Sequence, residues 1–266
     1  MPTQPEDNGG SSGAYMPLYL WLARPNELKT ADDVNDGHVL SNEENARLRA
    51  FRFERDRRQY LTTRLLVRNA LSHYHPNPPH AWRFQTNSYG KPALDPDCGL
   101  RFNLSNSPEL VVCLIGRGVE LGVDAEPLTR ASQTASVSSE FLSAVEAAQL
   151  EALSDEERLS RTLSLWTLKE AYIKARGLGL SLSLQGISFA FEAQDEIRMN
   201  IHPSLNDDAS NWRFSLMDLA GHRIALFAKS KSRPQLEIWE AQPLVAPIRV
   251  RHDETVWFPD PRSSDT

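Results

Sequence analysis

The stretch "SLWTLKEAYIKARGLGL", residues 164–180, predicts a buried helix that carries a carboxylate on its apolar side. At a period of about 3.6 residues, four apolar side chains fall on one stripe: Leu159, Leu163, Trp166 and Ile173. Glu170 lies in the middle of this stripe, and apolar residues on the opposite side make the helix apolar nearly all round. Because a buried carboxylate without a partner is costly, we expect Glu170 to meet a partner from another part of the fold.

Composition is that of an ordinary globular protein, with 266 residues of which 40% are hydrophobic and 24% charged. A net charge of −6 argues against a general nucleic-acid-binding protein. The two cysteines, Cys98 and Cys113, have no metal-ligand spacing and are interpreted as small buried hydrophobic residues. No stretch reaches the roughly 18 apolar residues of a membrane span, and residues 1–15 lack the pattern of a signal peptide. We therefore expect a cytoplasmic protein with no membrane partner.

Helices and strands follow one another without regular alternation, which is typical of an α+β fold. Helices are predicted at 41–51 (opened by a capping box of Ser41 and Glu44), 55–75, 138–153 and 156–176. Strands are predicted at 16–23, 187–192, 197–201, 212–218 and 222–229, and residues 82–94 predict a strand followed by a turn. Gly116 and Gly118 predict a hairpin turn between two strands within 110–126. Residues 1–14 predict a disordered tail, and the proline-containing residues 240–266 predict a second tail.

The segment "VELGVDAEPL", residues 119–128, predicts a strand with two carboxylates on one face. Alternate residues of a strand share a face, so Asp124 and Glu126 point away from the apolar side, roughly 7 Å apart along the strand. Oxygen ligands in this arrangement suit Mg²⁺, which usually takes one or two carboxylates, waters and a substrate phosphate. The alternative is a strand with a solvated acidic face. A third carboxylate at Glu170 favours the metal site.

Basic and polar residues indicate an anionic ligand beside this site. Lys174 follows Glu170 by one helical turn and Lys169 flanks it, although such Glu–Lys pairs are often only surface decoration. Residues 49–58 hold five arginines, and "FNLSNS", residues 102–107, ends a predicted strand in groups that can hydrogen-bond phosphate oxygens. The alternatives are a solvated helix face and a plain Ser/Asn turn.

Two motifs together resemble the signature pair of the 4′-phosphopantetheinyl transferases: "GVDAE" (122–126) and "WTLKEAYIKARGLGL" (166–180). Three further segments are similar to the family and occur in the same order: "FERDRRQYLTTRLLVR" (53–68), "YGKPAL" (89–94) and "FNLSNS" (102–107). The resemblance covers about residues 15 to 230 and is to the larger, pseudodimeric type, which activates surfactin synthetase and related assembly lines.

This resemblance implies two similar α+β halves, packed as a pseudodimer within a monomer, with coenzyme A in the cleft between them. The N-terminal half would span residues 15–117 and the C-terminal half, with the metal site, residues 118–239. The implied reaction transfers the 4′-phosphopantetheine arm of coenzyme A to a serine of an acyl or peptidyl carrier protein and releases adenosine 3′,5′-bisphosphate. The carrier protein and coenzyme A are therefore the expected partners, and Mg²⁺ is the expected cofactor.

The resemblance also implies roles for individual residues. The metal ligands would be Asp124, Glu126 and Glu170. Glu170 would either take the serine proton as well, directly or through a water, or act as a ligand only. Lys174 would hold a phosphate and stabilise the charge that develops in the reaction. Arg55 and Lys91 would face the 3′-phosphate and adenine end of coenzyme A. Ser105, Asn106 and Lys169 are also expected at coenzyme A. A docking surface for the carrier is expected at Arg130, Phe141, Leu142 and Val145, although a core position is equally compatible with the apolar three.

The sequence departs from the family pattern at Asn106, where the family usually carries a histidine. Asparagine donates hydrogen bonds but cannot become charged, so we expect weaker coenzyme A binding or the absence of a pH step near about 6.5. Two other functions stay open on the sequence alone. One is a degenerate family member that binds coenzyme A or carrier protein without transfer, and the other is a Mg²⁺-dependent phosphohydrolase that acts on coenzyme A.

Overall fold

Each half of the chain is built from one long helix and one main sheet, as seen in a computed structural model that describes residues 16–28, 39–192, 196–241, 248–250 and 257–258. The predicted N-terminal tail, residues 1–14, and most of the predicted C-terminal tail, residues 240–266, lie outside the described residues. None of the helices in the described ranges is long and apolar enough to cross a membrane.

Among its described residues, the first half contains five strands and two α-helices. The strands are β1 (Met16–Ala23), β2 (Phe84–Thr86), β3 (Pro92–Leu94), β4 (Leu100–Asn106) and β5 (Val111–Arg117). The helices are α1 (Asn42–Ala50) and α2 (Glu54–Tyr74). Helix α1 begins at the predicted capping box, in which the Ser41 hydroxyl accepts from the Glu44 amide and the Glu44 carboxylate accepts from the Ser41 amide.

The second half repeats this plan. Its strands are β6 (Leu121–Pro127), β7 (Ile187–Phe191), β8 (Ile197–Ile201), β9 (Trp212–Leu219) and β10 (His222–Lys229). Its helices are α3 (Ala131–Ser136), α4 (Ala144–Glu151) and α5 (Asp155–Arg176). The strand orders β1-β5-β4 and β6-β10-β9 are the same, every neighbour is antiparallel, and a two-stranded hairpin (β2–β3 or β7–β8) follows each long helix. The fold is therefore α+β with two similar halves, as predicted.

Aliphatic side chains between the two sheets form a shared core. Leu18 and Leu20 of β1 and Val112 of β5 meet Val123 of β6 and Leu226 of β10, all fully buried. Helix α2 covers the outer face of the first sheet and α5 the outer face of the second, which gives four layers in the order α–β–β–α. The alternation predicted for residues 119–126 is confirmed, because the apolar residues face this core and the carboxylates face α5.

The hairpin predicted within residues 110–126 is wrong, because β5 and β6 lie in different sheets. Strand β5 is already paired with β1 and β4, so β6 pairs with β10 instead. The second edge of β6 is satisfied by side chains of β4: Asn103 Oδ1 accepts from the Val123 amide at 2.9 Å and Ser105 Oγ from the Ala125 amide at 3.2 Å. These two bonds join the first half to the second.

Two further elements differ from the sequence prediction. The helix predicted at 138–153 begins only at Ala144, because Ser143 forms a capping box with Glu146 and interrupts the preceding chain. Residues 240–266 are not simply a tail, since β12 (Ile248–Val250) pairs with β11 (Pro234–Glu240) and Phe258 forms a bridge with Phe214. Strand β11, which we had placed in the C-terminal half, runs parallel to β1 in the first sheet.

Candidate active site

A cavity of about 480 Å³ opens where β4, β6 and α5 meet. It brings together six of the residues predicted for the site: Ser105, Asn106, Asp124, Glu126, Glu170 and Lys174. These six residues come from three elements, β4 of the first half and β6 and α5 of the second, so both halves of the molecule line the cavity.

Close packing of α5 on β6 places the acidic and basic groups within reach of one another. A Cβ atom added at Gly122 would overlap the Ala171 carbonyl oxygen and the Ala175 amide of α5, so only glycine allows this approach. Asp124 follows Gly122 on the same face of β6, and Lys174 precedes Ala175 on α5. The Lys174 ammonium donates to Asp124 Oδ1 at 2.6 Å as a result.

Asp124 is buried and only half satisfied. Its Oδ1 atom accepts from Lys174 and, at 2.9 Å, from the Ser105 hydroxyl, which itself accepts from Lys174 Nζ at 3.0 Å. Its Oδ2 atom is buried and has no hydrogen-bond partner among the residues that the structure describes. A buried carboxylate oxygen without a donor is costly, so this atom is suited to bind a cation.

Glu126 is held by two donors at the rim of the cavity. The Trp166 indole N–H donates to Glu126 Oε1 at 2.8 Å, and Arg130 Nη1 donates to Oε2 at 2.6 Å. Burial and the nearby Asp124 carboxylate nevertheless raise the pKa of Glu126 above its usual value, against the opposing effect of Trp166 and Arg130. The carboxylate is therefore oriented, but it lies in a site with surplus negative charge.

Glu170 has no hydrogen bond or ion pair with any part of the chain that the structure describes. Burial, with the Asp124 and Glu126 carboxylates nearby, raises the pKa of Glu170 to about 7, although Lys174 one turn away acts in the opposite direction. The partner expected for Glu170 is therefore not a fixed side chain. Its carboxyl group lies in the cavity wall, poised between its charged and neutral forms near neutral pH.

The donor set fits Mg²⁺ as a cation that keeps some of its waters. Across the described ranges, no three His, Cys, Asp or Glu side chains already form a closed metal cage. Mg²⁺ does not require one, because it is usually held through one or two carboxylates together with substrate phosphates. Asp124 Oδ2 has no partner among the described residues, and the pKa values of Glu126 and Glu170 are raised. A bound cation would stabilise the charged forms of these three carboxylates.

Lys169, which we expected at coenzyme A, lies elsewhere. Its side chain is 0% exposed, and its ammonium donates to Glu146 Oε2 at 2.6 Å, to the Phe141 carbonyl at 2.7 Å and to the Leu184 carbonyl at 3.0 Å. All three N–H groups are used within the second half, so the prediction that Lys169 binds the ligand is wrong. Lys169 and Glu146 form a buried ion pair between α5 and α4. Glu146 Oε1 also accepts from the Phe189 amide, which joins this pair to β7.

Arg55 and Lys91 do not line the cavity. The Arg55 side chain is 69% exposed near the start of α2 and pairs with the adjacent Asp56. Lys91 donates to two backbone carbonyls, those of Ala175 at 2.7 Å and Leu121 at 3.2 Å. A direct role for either residue at the ligand stays a prediction.

Of the four residues expected at the docking surface, some are exposed and others are buried. Phe141 is 0% exposed and Leu142 packs partly against the same core, so Phe141 cannot contact a partner. Val145 is 61% exposed, and Arg130 lies at the cavity rim beside Glu126. Arg130 and Val145 are therefore available at the surface, Leu142 is partly exposed, and Phe141 is not available.

The structure adds two features that sequence reasoning missed. The first is the hydrogen bond from Trp166 to Glu126, for which the sequence offers one indication: Trp166 lies one helical turn before Glu170. The second is the buried His222, for which the sequence offers none: its Nε2 atom lies 2.9 Å from Ser107 Oγ, behind the cavity wall, and its Nδ1 atom lies 3.0 Å from the Ala220 carbonyl. An Nδ1–H tautomer would let the Ser107 hydroxyl donate to Nε2 and hold the end of β4 in place.

Comparisons with known proteins find relatives of both halves of the chain. The family model of the 4′-phosphopantetheinyl transferase superfamily matches residues 120–227, and a model described as 4′-phosphopantetheinyl transferase, N-terminal, matches residues 22–116. The 4′-phosphopantetheinyl transferase HetI of Nostoc sp. is 33% identical over 169 residues, which cover 62% of this chain and 71% of HetI. The 4′-phosphopantetheinyl transferase Sfp of Bacillus subtilis is 28% identical over 190 residues, which cover 71% of this chain and 83% of Sfp.

The resemblance found in the sequence is confirmed by these matches, which extend over both halves of the fold. The residues of its two signature motifs, Asp124, Glu126, Glu170 and Lys174, lie together in one cavity. The chain belongs to the 4′-phosphopantetheinyl transferase family.

Proposed function

We propose that the chain transfers the 4′-phosphopantetheine arm of coenzyme A to a carrier-protein serine in the cavity between β4, β6 and α5, with Mg²⁺ as cofactor. Family membership supports the transfer itself. The observation that supports the site is the meeting of three carboxylates and one ammonium in a single cavity, with one buried carboxylate oxygen left without a partner.

Mg²⁺ would be held by Asp124, through its unpartnered Oδ2 atom, and by Glu126, which Trp166 and Arg130 orient. Glu170 is the third expected ligand. When bound, the cation would neutralise charge on the pyrophosphate of coenzyme A and help to stabilise the charge that develops during transfer. The protein itself supplies the position of the carboxylates, because the close approach at Gly122 sets how near α5 comes to β6.

The serine oxygen attacks the phosphorus that carries the pantetheine arm, and a new phosphorus–oxygen ester bond forms. The bond between this phosphorus and the bridging oxygen breaks, and adenosine 3′,5′-bisphosphate leaves with the electron pair. Glu170 would accept the serine proton, directly or through a water, because its carboxyl group lies in the cavity wall and has no fixed partner among the described residues.

Phosphate oxygens would be held by the basic and polar wall of the cavity. Lys174 is the cation nearest to the carboxylates, and it can turn from Asp124 towards a phosphate once Asp124 has another partner. Ser105 and Asn106, at the end of β4, line the same wall and can donate further hydrogen bonds. Positioning and charge stabilisation of this kind account for most of the catalysis of phosphoryl-type transfer.

An acyl or peptidyl carrier protein is the proposed partner, and the carrier would approach at the cavity rim near Arg130 and Val145. A monomer would suffice, because one chain supplies both halves, divided near residues 117 and 118. A cytoplasmic location is in keeping with Cys98 and Cys113, which form no disulfide.

Intact-protein mass spectrometry tests the proposal. An apo carrier protein incubated with this enzyme, coenzyme A and Mg²⁺ should gain the mass of one phosphopantetheine, and EDTA should prevent the gain. Lys231→Met, a change at an exposed lysine, is the matched control and should convert the carrier like the wild type. Binding of coenzyme A without a mass gain on any fatty-acid or peptide carrier would instead support a degenerate binding protein. Release of phosphopantetheine or phosphate without a carrier would support a phosphohydrolase.

A further inference from the structure

The C-terminal end of α5 is closed by side chains from the other half of the molecule. The last carbonyl groups of a helix have no partner within the helix and must find one elsewhere. Lys91 Nζ donates to the Ala175 carbonyl at 2.7 Å, and Asn87 Nδ2 donates to the Gly177 carbonyl at 2.8 Å. Both donors lie in the turn between β2 and β3 of the first half, and a cation at this helix end is favoured by the helix dipole.

The same ammonium also reaches β6. Lys91 Nζ donates to the Leu121 carbonyl at 3.2 Å, at the first residue of the strand. Ala175 follows Lys174 directly, and Leu121 precedes Asp124 by three residues, so one side chain joins the two segments that carry the closest ion pair of the cavity. The position of α5 along β6 decides whether Lys174 meets Asp124 at 2.6 Å.

The turn is shaped to present this lysine. Asn87 Oδ1 accepts from the amides of Tyr89 and Lys91 at 3.0 and 2.9 Å, which fixes the chain on both sides of Gly90. Gly177, in the left-handed conformation with φ of +64°, ends α5 where the lysine passes. A Cβ atom at Gly177 would lie 2.7 Å from Lys91 Cδ, so the helix end and the lysine stem fit only with glycine there.

We propose that Lys91 is a positioning residue, which together with Asn87 locks α5 against β6 and so holds Lys174 and Glu170 in place for the transfer. This inference rests on the proposed function. It replaces the expectation that Lys91 contacts a phosphate of coenzyme A. Two of its three N–H groups are committed to backbone carbonyls, and its side chain does not line the cavity.

A lysine that binds the 3′-phosphate of coenzyme A should discriminate between ligands with and without that phosphate, whereas a positioning lysine should not. The experiment therefore compares coenzyme A with 3′-dephospho-coenzyme A. Positioning predicts that Lys91→Met lowers kcat by about ten- to a hundredfold with both substrates, as expected for a small displacement of catalytic groups. The ratio of the two KM values, and the ratio of the two Kd values from calorimetry, should stay as in the wild type. Lys91→Arg, which keeps a cation able to donate to two carbonyls, should recover part of the lost kcat.

Asn87→Ala breaks the same helix end without removing a charge, and it should give the same pattern with a smaller loss of kcat. It also keeps the test decisive if Lys91→Met fails to fold. Lys231→Met serves as the control and should change neither constant. A rise in KM for coenzyme A alone upon Lys91→Met, with Asn87→Ala unaffected, would show that Lys91 reads the phosphate and would overturn the proposal. An unchanged kcat in the folded Lys91→Met protein would also overturn it, whereas an inactive wild type would reject the proposed function instead.

Discussion

Replacing Glu170 by glutamine should stabilise the metal-free protein above about pH 7, although it removes a group proposed to be essential. A carboxyl whose pKa is 4.5 in the unfolded chain and about 7 in the fold binds its proton more tightly when folded. The folded state therefore loses stability relative to the unfolded state as the pH rises from about 4.5 to about 7. This difference in pKa corresponds to as much as about 3 kcal/mol in the free energy of unfolding.

Urea unfolding in EDTA, at pH values from about 5 to about 8.5, measures this effect as the difference between Glu170→Gln and the wild type. The variant should gain stability over the wild type as the pH rises and reach a constant advantage above about pH 7.5. Glu151→Gln, a change at an exposed glutamate on α4, is the matched control and should show no such trend. Added Mg²⁺ should stabilise the wild type more than the variant. A difference that does not vary with pH would refute the argument that Glu170 is desolvated beside Asp124 and Glu126.

Three other changes test separate parts of the structure. Lys169→Met leaves Glu146 buried without its cation and should lower the free energy of unfolding in urea by about 3 to 5 kcal/mol. KM for coenzyme A in the folded variant should stay unchanged. A rise in KM alone would show that Lys169 does contact the ligand. Gly122→Ala introduces a Cβ that overlaps α5 at Ala171, so both the melting temperature and kcat should fall, and wild-type values for both would contradict the proposed close approach. Asn106→His should lower the Kd of coenzyme A below about pH 6.5, where a histidine becomes charged, and calorimetry at two pH values that finds no change would show that this position does not contact a phosphate.

Local patterns predicted the elements that carry the site. The period of residues 156–176 and the alternation of residues 119–126 both arise because an apolar face of the element packs against a core. The apolar face of 119–126 is buried as predicted, and in the helix Leu163 and Ile173 are buried whereas Leu159 and Trp166 are partly buried. The capping box at Ser41 was also readable, because its partners lie three residues apart. These features depend on residues that are close in sequence, so the sequence alone is enough to predict them.

Features that depend on distant contacts could not be read in the same way. Lys169 and Lys174 both flank Glu170 in sequence, but they are about 140° apart around the helix axis, and only the fold decides which one meets a buried glutamate and which one meets Asp124. The strands on either side of Gly116 and Gly118 look like a hairpin in sequence, yet each is paired with a strand elsewhere in its own half. The repeat of the two halves is likewise visible only in the order of the strands.

A crystal of the enzyme grown with coenzyme A and Mn²⁺ in place of Mg²⁺ would locate the metal by its anomalous scattering. We expect one manganese peak in contact with carboxylate oxygens of Asp124 and Glu126 and with a phosphate of coenzyme A, and we expect Lys174 to be turned from Asp124 towards a phosphate. Coenzyme A bound in the cavity without a metal at Asp124, or a metal bound away from Asp124 and Glu126, would contradict the proposed site.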